Sequence, residues 1–507
     1  MRRFLRTIQH RLVHAFFTLG IAALTQAGPA SAQGAVSVAV LPFANVSGNA
    51  NQDALADGLT EELAAALANV PGLDVGARAS AFRFRAPPRD LRAIGEALKK
   101  THLVEASVRK IDDRVRLSAK LVRAADGTEL WSEDYYAPFT DIFDIEDAIA
   151  KAVAAALQVR VPADAVLVRS RTTNMAAYEH YLRARPLIRA RGPKPFADAA
   201  VLLEQAVAAD PNFAPASAML AFDYDISPLY QASFRSGDAV ETRRFVDSVI
   251  PKAERLARRA TELEPTRAEG FVALAYANMV QRKMLAADDL FKKALMLDPN
   301  QTDGLHGYSQ LLAVEGRIKE SLAMRLKLQA LEPFVINYVA DTALIYWLDK
   351  DDATAIKMLD EFRPGRTAEI AQIHSAMGKH KEAASLLREM TAANYLLGVL
   401  EGAASLLDNA PSKTAAPESL PRLGNLSFVY LHSGAPDRVF EFYEAALQAG
   451  YFQPISTTWL WHESYAPVRK TARFKTYVRN IGLEEFWRAR GWPAHCKPTS
   501  AQDFACD

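Results

Sequence analysis

Two cysteines, ten histidines and a run of arginines interleaved with phenylalanines are where this chain could do chemistry. Cys496 and Cys506 stand ten residues apart near the C-terminus. In an oxidising compartment such a pair closes a disulfide. A loop this short is worth at most about 3 kcal/mol by chain entropy. In a reducing compartment the same residues are two free thiols. His495 adjoins Cys496, but no second pair at ligand spacing accompanies it, so a metal site is the weaker reading. His374 and His380 are six apart, which takes them off one helical face. Gly378-Lys379 lacks the upstream glycine and the following hydroxyl residue of a phosphate loop. Neither a Gly-x-Ser-x-Gly elbow nor a His-Glu-x-x-His helix occurs. Arg78, Arg83 and Arg85 with Phe82 and Phe84 carry the residue types that stack on single-stranded nucleic acid. Against that, 60 basic and 59 acidic residues leave a net charge of +1, so no polyanion partner is implied. A solvated strand-to-loop edge is the favoured reading of that run. The expectation is a non-catalytic chain with no cofactor, no metal and no nucleic-acid partner.

The elements that would carry such residues fall into two kinds. Val36, Val38 and Val40, then Leu41-Pro42-Phe43, read as a buried strand ended by proline. Asp53 stands where it could cap a helix with the stripe Leu55, Leu59, Leu63 and Leu67. Asp57, Glu61 and Glu62 would complement the dipole of its first turns. Gly58 costs about 1 kcal/mol in a helix and hints at close packing against a sheet. Leu73-Asp74-Val75 starts a second strand, and Asp90 precedes a stripe of Leu91, Ile94 and Leu98. From His102 the period becomes two, with turns at Asp112-Asp113 and Asp126-Gly127. Ile145, Ile149, Val153 and Leu157 make a third helix stripe. The order β-α-β-α-β-β-β-α predicts a small α/β domain, a mixed sheet with packed helices, over residues 35–160.

Five segments in order carry a resemblance: Ala39-Val40-Leu41-Pro42-Phe43-Ala44-Asn45, Asp57-Gly58-Leu59-Thr60-Glu61, Ala77-Arg78-Ala79-Ser80-Ala81-Phe82, Glu105-Ala106-Ser107-Val108-Arg109 and Ile142-Phe143-Asp144-Ile145. They resemble the motifs of the TolB-like amino-terminal domain. Ala106 replaces the usual glycine, and Tyr135-Tyr136 the usual tyrosine-aspartate. The resemblance implies tetratricopeptide (TPR) repeats to follow, in bacterial proteins often labelled adenylate cyclase or transcriptional regulator. It brings no catalytic group that transfers to this chain. The paired metal-binding aspartates of a common nucleotide cyclase have no counterpart here.

The second kind of element repeats. Glu264-Pro265, Asp298-Pro299 and Glu332-Pro333 recur at the 34-residue period of the TPR helix-turn-helix unit. Phe271, Leu274, Ala275, Ala287, Phe291 and Ala294 fall on the unit's large and small positions. At least six units are recognisable, Tyr181 to Pro211 the first and one around Tyr430, Gly434 and Ala446 the last. Breaks come near Ser227–Ser248 and Asn409–Pro421. An all-α TPR superhelical solenoid is predicted over 170–458, enough repeats to bury a continuous core. Extending the period places Tyr276, Met279, His306, Gln310, Asn337 and Trp347 along the inner groove, a surface suited to a protein segment. For Met279 and Trp347, filling contacts between repeats is the stronger reading. The aromatic stretch 459–507, with Trp459, Trp461, Tyr465, Phe474, Tyr477, Phe486 and Trp487, should seal the last repeat; a carbohydrate-stacking surface is the sharper alternative.

Residues 1–32 supply the address. Arg2, Arg3, Arg6 and Arg11 precede an apolar run from Leu12 to Leu24 and a small-x-small site ending at Ala32. That is the form of a secretory signal peptide cleaved between Ala32 and Gln33. The expected location is the periplasm; an uncleaved inner-membrane anchor is the alternative, and the only expected membrane contact. These readings converge on a scaffold or adaptor of the bacterial cell envelope with protein partners. A regulatory inner-membrane component, or an enzyme with a site between the two modules, stands as the alternative.

Overall fold

The computed structural model describes residues 36–507 apart from 77, 87–88, 163, 169–170, 237, 364 and 391–397. The leader and the Ala32–Gln33 site lie outside the described residues.

Strands β1 (Ser37–Val40), β2 (Ala44–Asn45), β3 (Asp74–Val75), β4 (His102–Ile111), β5 (Arg114–Arg123) and β6 (Glu129–Pro138) form one mixed sheet. Its order is β3-β1-β4-β5-β6, with β2 also on β4; β1, β2 and β3 pair in parallel, and β4 through β6 antiparallel. The β4–β5 turn falls at Asp112-Asp113, where Asp112 takes φ +51°. Helices α1 (Asp53–Ala68) and α3 (Ile142–Ala156) share one core with this sheet. Helix α2 (Leu91–Leu98) covers the other face, its N-terminus capped by Asp90 Oδ1 accepting from Ala93 N at 3.1 Å. Asp53 is the first helical residue of α1 rather than its cap, and its carboxylate accepts from the Asn45 amide at 2.7 Å.

From residue 175 the chain is a succession of helix pairs: α4 (Met175–Ala190) with α5 (Pro193–Ala209), α6 (Ala214–Ile226) with α7 (Ala239–Leu263), α8 (Ala268–Val280) with α9 (Met284–Leu297), α10 (Thr302–Val314) with α11 (Ile318–Leu331), α12 (Ile336–Leu348) with α13 (Asp352–Asp360), and α14 (Thr367–Ala376) with α15 (His380–Glu389). Helices α8, α10 and α12 begin in the 34-residue register that the Glu-Pro and Asp-Pro pairs announce. Small residues fully buried at the crossings, Ala275, Ala287, Ala294, Ala343 and Ala355, let adjacent pairs nest. Beyond α16 (Val399–Asp408) the regularity ends. The expected unit around Tyr430 is a 3₁₀ stretch, Gly424–His432, kinked at Leu426 and followed after Pro436 by α17 (Phe440–Gln448).

The C-terminal aromatic stretch does not sit on the last helix pair. With α18 (Ala472–Asn480), α19 (Leu483–Arg490) and the β7 (Cys496–Pro498)–β8 (Phe504–Cys506) hairpin, it folds back along the inter-helix turns of the middle repeats. Phe452 N donates to Val280 O at 3.0 Å, and the indoles of Trp461 and Trp487 donate to Val314 O and Glu315 O at 3.0 and 3.2 Å. Backbone carbonyls left free where a first helix ends are the acceptors. Gly316, at φ +84°, is needed there: a Cβ on it would stand 2.6 Å from Pro493. Cys496 and Cys506 are disulfide-bonded across the terminal hairpin, whose Phe504 lies against Trp487 and Trp492.

The two modules share a core. Tyr178, Tyr181 and Leu182 of α4 are buried in the same apolar cluster as α1, α3 and the sheet. Gly58 of α1 meets α4, not the sheet; a Cβ would come within 2.5 Å of Leu182 O. Gly58→Val should therefore destabilise the protein by about 1–3 kcal/mol, read by urea unfolding. Gly402→Ala in α16, where the new methyl meets only Pro421 at 3.4 Å, should stay within about 0.5 kcal/mol of the parent.

Candidate functional site

A cavity of about 700 Å³ lies where the α/β domain meets the first helices of the array. Its walls come from α1 (Glu61, Glu62), the loop at Arg78, the linker at Arg171, α4 and its end (Arg185, Arg189, Arg191), and the starts of α8, α10 and α12. Phe213, Phe222 and Val335 supply apolar wall between the charges.

The charged groups are brought in by packing, and most are consumed by it. Asp57, Glu61 and Glu62 lie in the middle of α1, not in its first turn, one face of which abuts α4. Arg185 donates to Glu61 at 2.9 Å and also pairs with Glu62; Arg189 donates to Asp57 at 2.8 Å and pairs with Glu61; Arg85 pairs with Asp57. The surrounding carboxylates and the Tyr181 hydroxyl hold the Arg185 guanidinium charged against the cost of burial. Behind them Glu146 is 2 % exposed, and burial, then the charge of Glu62, pushes its carboxyl well above the usual range. Arg171 grips Glu264 through Nε at 3.1 Å and Nη2 at 2.5 Å, which ties the linker to the turn between α7 and α8.

A second seam fixes the α/β domain farther along the array. The Glu332 carboxylate, 2 % exposed, accepts from the N–H groups of Ala79 and Ser80 at 3.1 and 2.8 Å, and Phe334 N donates to Ser80 Oγ at 3.0 Å. Phe84 sits edge-on to Phe334, Arg83 lies 4.8 Å from the Phe334 ring centre, and Arg189 lies 3.5 Å from that of Phe82. The basic–aromatic run expected as a solvated edge is thus a docking segment, a 3₁₀ turn over Ser80–Phe84. Arg83 reaches the Phe334 ring, and Arg189 of α4 the Phe82 ring, because the array comes within reach only in the folded chain; Arg85 lies over Phe82 of its own turn.

The six residues expected along the groove divide. His306 and Gln310 of α10 join Arg325 of α11 and Asp341 of α12 in a buried network. Arg325, 1 % exposed, donates to His306 Nδ1 at 2.7 Å and to Asp341 at 3.3 Å; Gln310 Nε2 donates to Asp341 at 3.0 Å. Burial, reinforced by the Arg325 charge, holds His306 well below its usual pKa, and an imidazole that accepts at Nδ1 is neutral. Tyr276 is buried, its hydroxyl donating to Asp303 O at 3.3 Å. Met279 and Trp347 fill the core; Trp347 is fully buried and stacks on His462 at 4.2 Å. Asn337 is half-buried, accepting from Arg366 at 2.8 Å. Five of the six are therefore structural side chains. A period marks which face a residue takes but not whether the next helices of the array cover that face. Arg191, Arg78, Asp303 and Tyr338, which line the cavity, fell outside the expected set. In the sequence Arg78 stands out only as part of the basic–aromatic run and its motif, and the signal at Arg191 is that it precedes Gly192 where α4 ends.

Among the described residues, no group of three or more His, Cys, Asp or Glu side chains is arranged to hold a metal ion. None of their helices is long and apolar enough to cross a membrane.

No family model matches the chain. A curated protein of Rhizobium meliloti (strain 1021), named "Putative adenylate cyclase 3", is 33% identical over 186 residues. That stretch is 36% of this chain, and it spans about a third (32%) of the relative's length. Solved structures with similar helix runs include human IFIT1, in a dimer with m7Gppp-AAAA (14% identity, 69% of this chain, 76% of that one, TM-score 0.38). Others are pilF of Pseudomonas aeruginosa (17%, 54% and 99%, 0.28) and a thermophilic TPR protein of Thermus thermophilus (15%, 42% and 100%, 0.29).

One carboxyl near the cavity gives a pH signature. Asp223 of α6, beside the cavity-lining Phe222, is pushed up to about 8 by burial, against the opposing charge of Arg191. The folded state therefore holds a proton that the unfolded chain releases above its ordinary value near 3.8. Stability from this group is full below that value and is lost as pH rises towards about 8. Asp223→Asn should match the parent near pH 4 and exceed it increasingly up to pH 8, in urea midpoints measured across that range.

Proposed function

We propose that this chain is a non-catalytic protein-interaction scaffold of the bacterial cell envelope. In this reading a TPR-type array is the platform, and a TolB-like domain is fixed on its inner side. The observation that carries it is the run of helix pairs in 34-residue register, a form that presents extended surface without needing a catalytic cleft. The charged groups at the inter-module cavity support it too, since most are committed to holding the two modules together. The periplasmic location rests on residues 1–32. Identity to a cyclase-named relative supports a second reading, a regulatory component held at the inner membrane by an uncleaved N-terminus.

On this reading the partner docks at the start of α12, a choice supported by Ile336 being 53% exposed beside the cavity-lining Val335. A photo-reactive side chain at Ile336 should give one defined protein adduct in living cells. The same group at Met296, 72% exposed on second helix α9, should not. Equal labelling from both positions, or none from either, would remove the platform reading. Release by osmotic shock should show a shortened chain. Retention with membranes at full length would favour the anchored component, and a purely cytosolic chain would overturn both.

A further inference from the structure

Each of four arginines around the junction cavity has a carboxylate in ion-pair reach: Arg171 with Glu264, Arg185 with Glu61 and Glu62, Arg189 with Asp57 and Glu61, and Arg267 with Glu269. Arg191 differs. Among the described residues no carboxylate lies within 4.0 Å of its guanidinium, and no hydrogen bond leaves its side chain. Its contact is the Phe222 ring, 5.6 Å from guanidinium to ring centre. Farther off stand the hydroxyls of Tyr230, Tyr276 and Tyr338 and the carboxyls of Asp303 and Asp223.

The backbone makes the same residue unusual. Arg191 takes φ +56° and ψ 157°, and Gly192 follows at φ +116°. That region suits glycine and is costly for a residue with a side chain. A second glycine would make the α4–α5 turn without strain. Position 191 instead combines backbone strain with a guanidinium short of acceptors, and both point at the cavity.

The acids there are already engaged. Asp303 accepts the Tyr338 hydroxyl at 3.1 Å, Glu332 accepts two backbone N–H groups, and Glu61, Glu62, Glu264 and Glu269 face arginines. Burial raises the Asp303 carboxyl, which lessens its repulsion of an incoming anion. The uncommitted capacity is donor capacity. Arg78, from the α/β domain, lines the same cavity beside Glu332. A volume of about 700 Å³ is within the range of small-molecule sites.

We propose that the junction cavity binds a small organic oxyanion, whose carboxylate or phosphate is held by the Arg191 guanidinium with Arg78 as a second donor. The apolar part of the ligand lies against Phe222 and Val335. Because Arg78 belongs to the α/β domain and Arg191 to the array, such a ligand ties the modules together. The inference stands apart from the scaffold reading; either can fail without the other.

Isothermal titration of the full chain with inorganic phosphate and, separately, with succinate tests it. Sodium chloride at matched ionic strength and succinamide are the controls. Saturable binding of at least one oxyanion, absent with both controls, is expected. A response to phosphate alone assigns a phosphate-bearing ligand, and a response to succinate alone a carboxylate. Arg191→Gln and Arg191→Gly should each weaken binding by about tenfold or more. Arg191→Gly should melt no lower than the parent, because glycine accepts the turn. Absence of saturable binding of either probe at millimolar concentration overturns the proposal. So does unchanged affinity in a folded Arg191→Gly protein.

Discussion

A guanidinium taken out of water must recover its lost hydration from fixed acceptors, and that requirement runs through the whole molecule. Arg185 and Arg189 meet it with the acidic face of α1 and so bind the α/β domain to the first helix of the array. Arg325 meets it with His306 and Asp341 and so couples three successive helices. Arg469, 3% exposed, meets it with the carbonyls of Leu460 and His462, which fixes the returning C-terminal segment. In each case the acceptor lies on a different element from the arginine or across a turn, so satisfying the charge also fixes tertiary placement. Arg191 stands outside this pattern, which is why its surroundings invite a ligand.

Packing supplies the energy that these polar contacts direct. A helix pair buries too little apolar surface to stand alone, so each needs neighbours on both sides. At the N-terminal end that need is met by the α/β domain, whose core continues into α4, α5, α6 and α7 without a break. Along the turn edge it is met by the aromatic C-terminal segment, which shares one core with the middle repeats. The array is thus closed at one end and along one edge by its own chain. The expected groove residues are interior mainly because neighbouring repeats cover them, Tyr276 against Phe222 and Phe291 and His306 with Gln310 against Arg325 and Asp341, while Trp347 packs on the returning tail at His462.

Much of the architecture was legible from spacing. The order of elements along the chain, the Asp112-Asp113 hairpin turn, the helix after Asp90 and the 34-residue register follow from local rules of alternation, stripe spacing and repeat length, and the structure places elements accordingly, although α1 begins at Asp53 where a cap was expected. The site was less legible. Tyr276, His306 and Gln310 lie close to the cavity or to its neighbouring network, as their shared face implies, but their side chains are committed to the fold. Arg78 and Phe84 read as a polar edge, because residues 332–334 that cover them are some 250 positions away.

By itself the sequence determined the two kinds of element, their order and the repeat that stacks them, since these depend on contacts between near neighbours in the chain. Only the tertiary structure decided where the α/β domain docks, that the aromatic tail returns to the middle repeats, and which arginines keep a partner. Those outcomes depend on shape and charge meeting across long separations, where no periodicity records which surface will be covered and which left open.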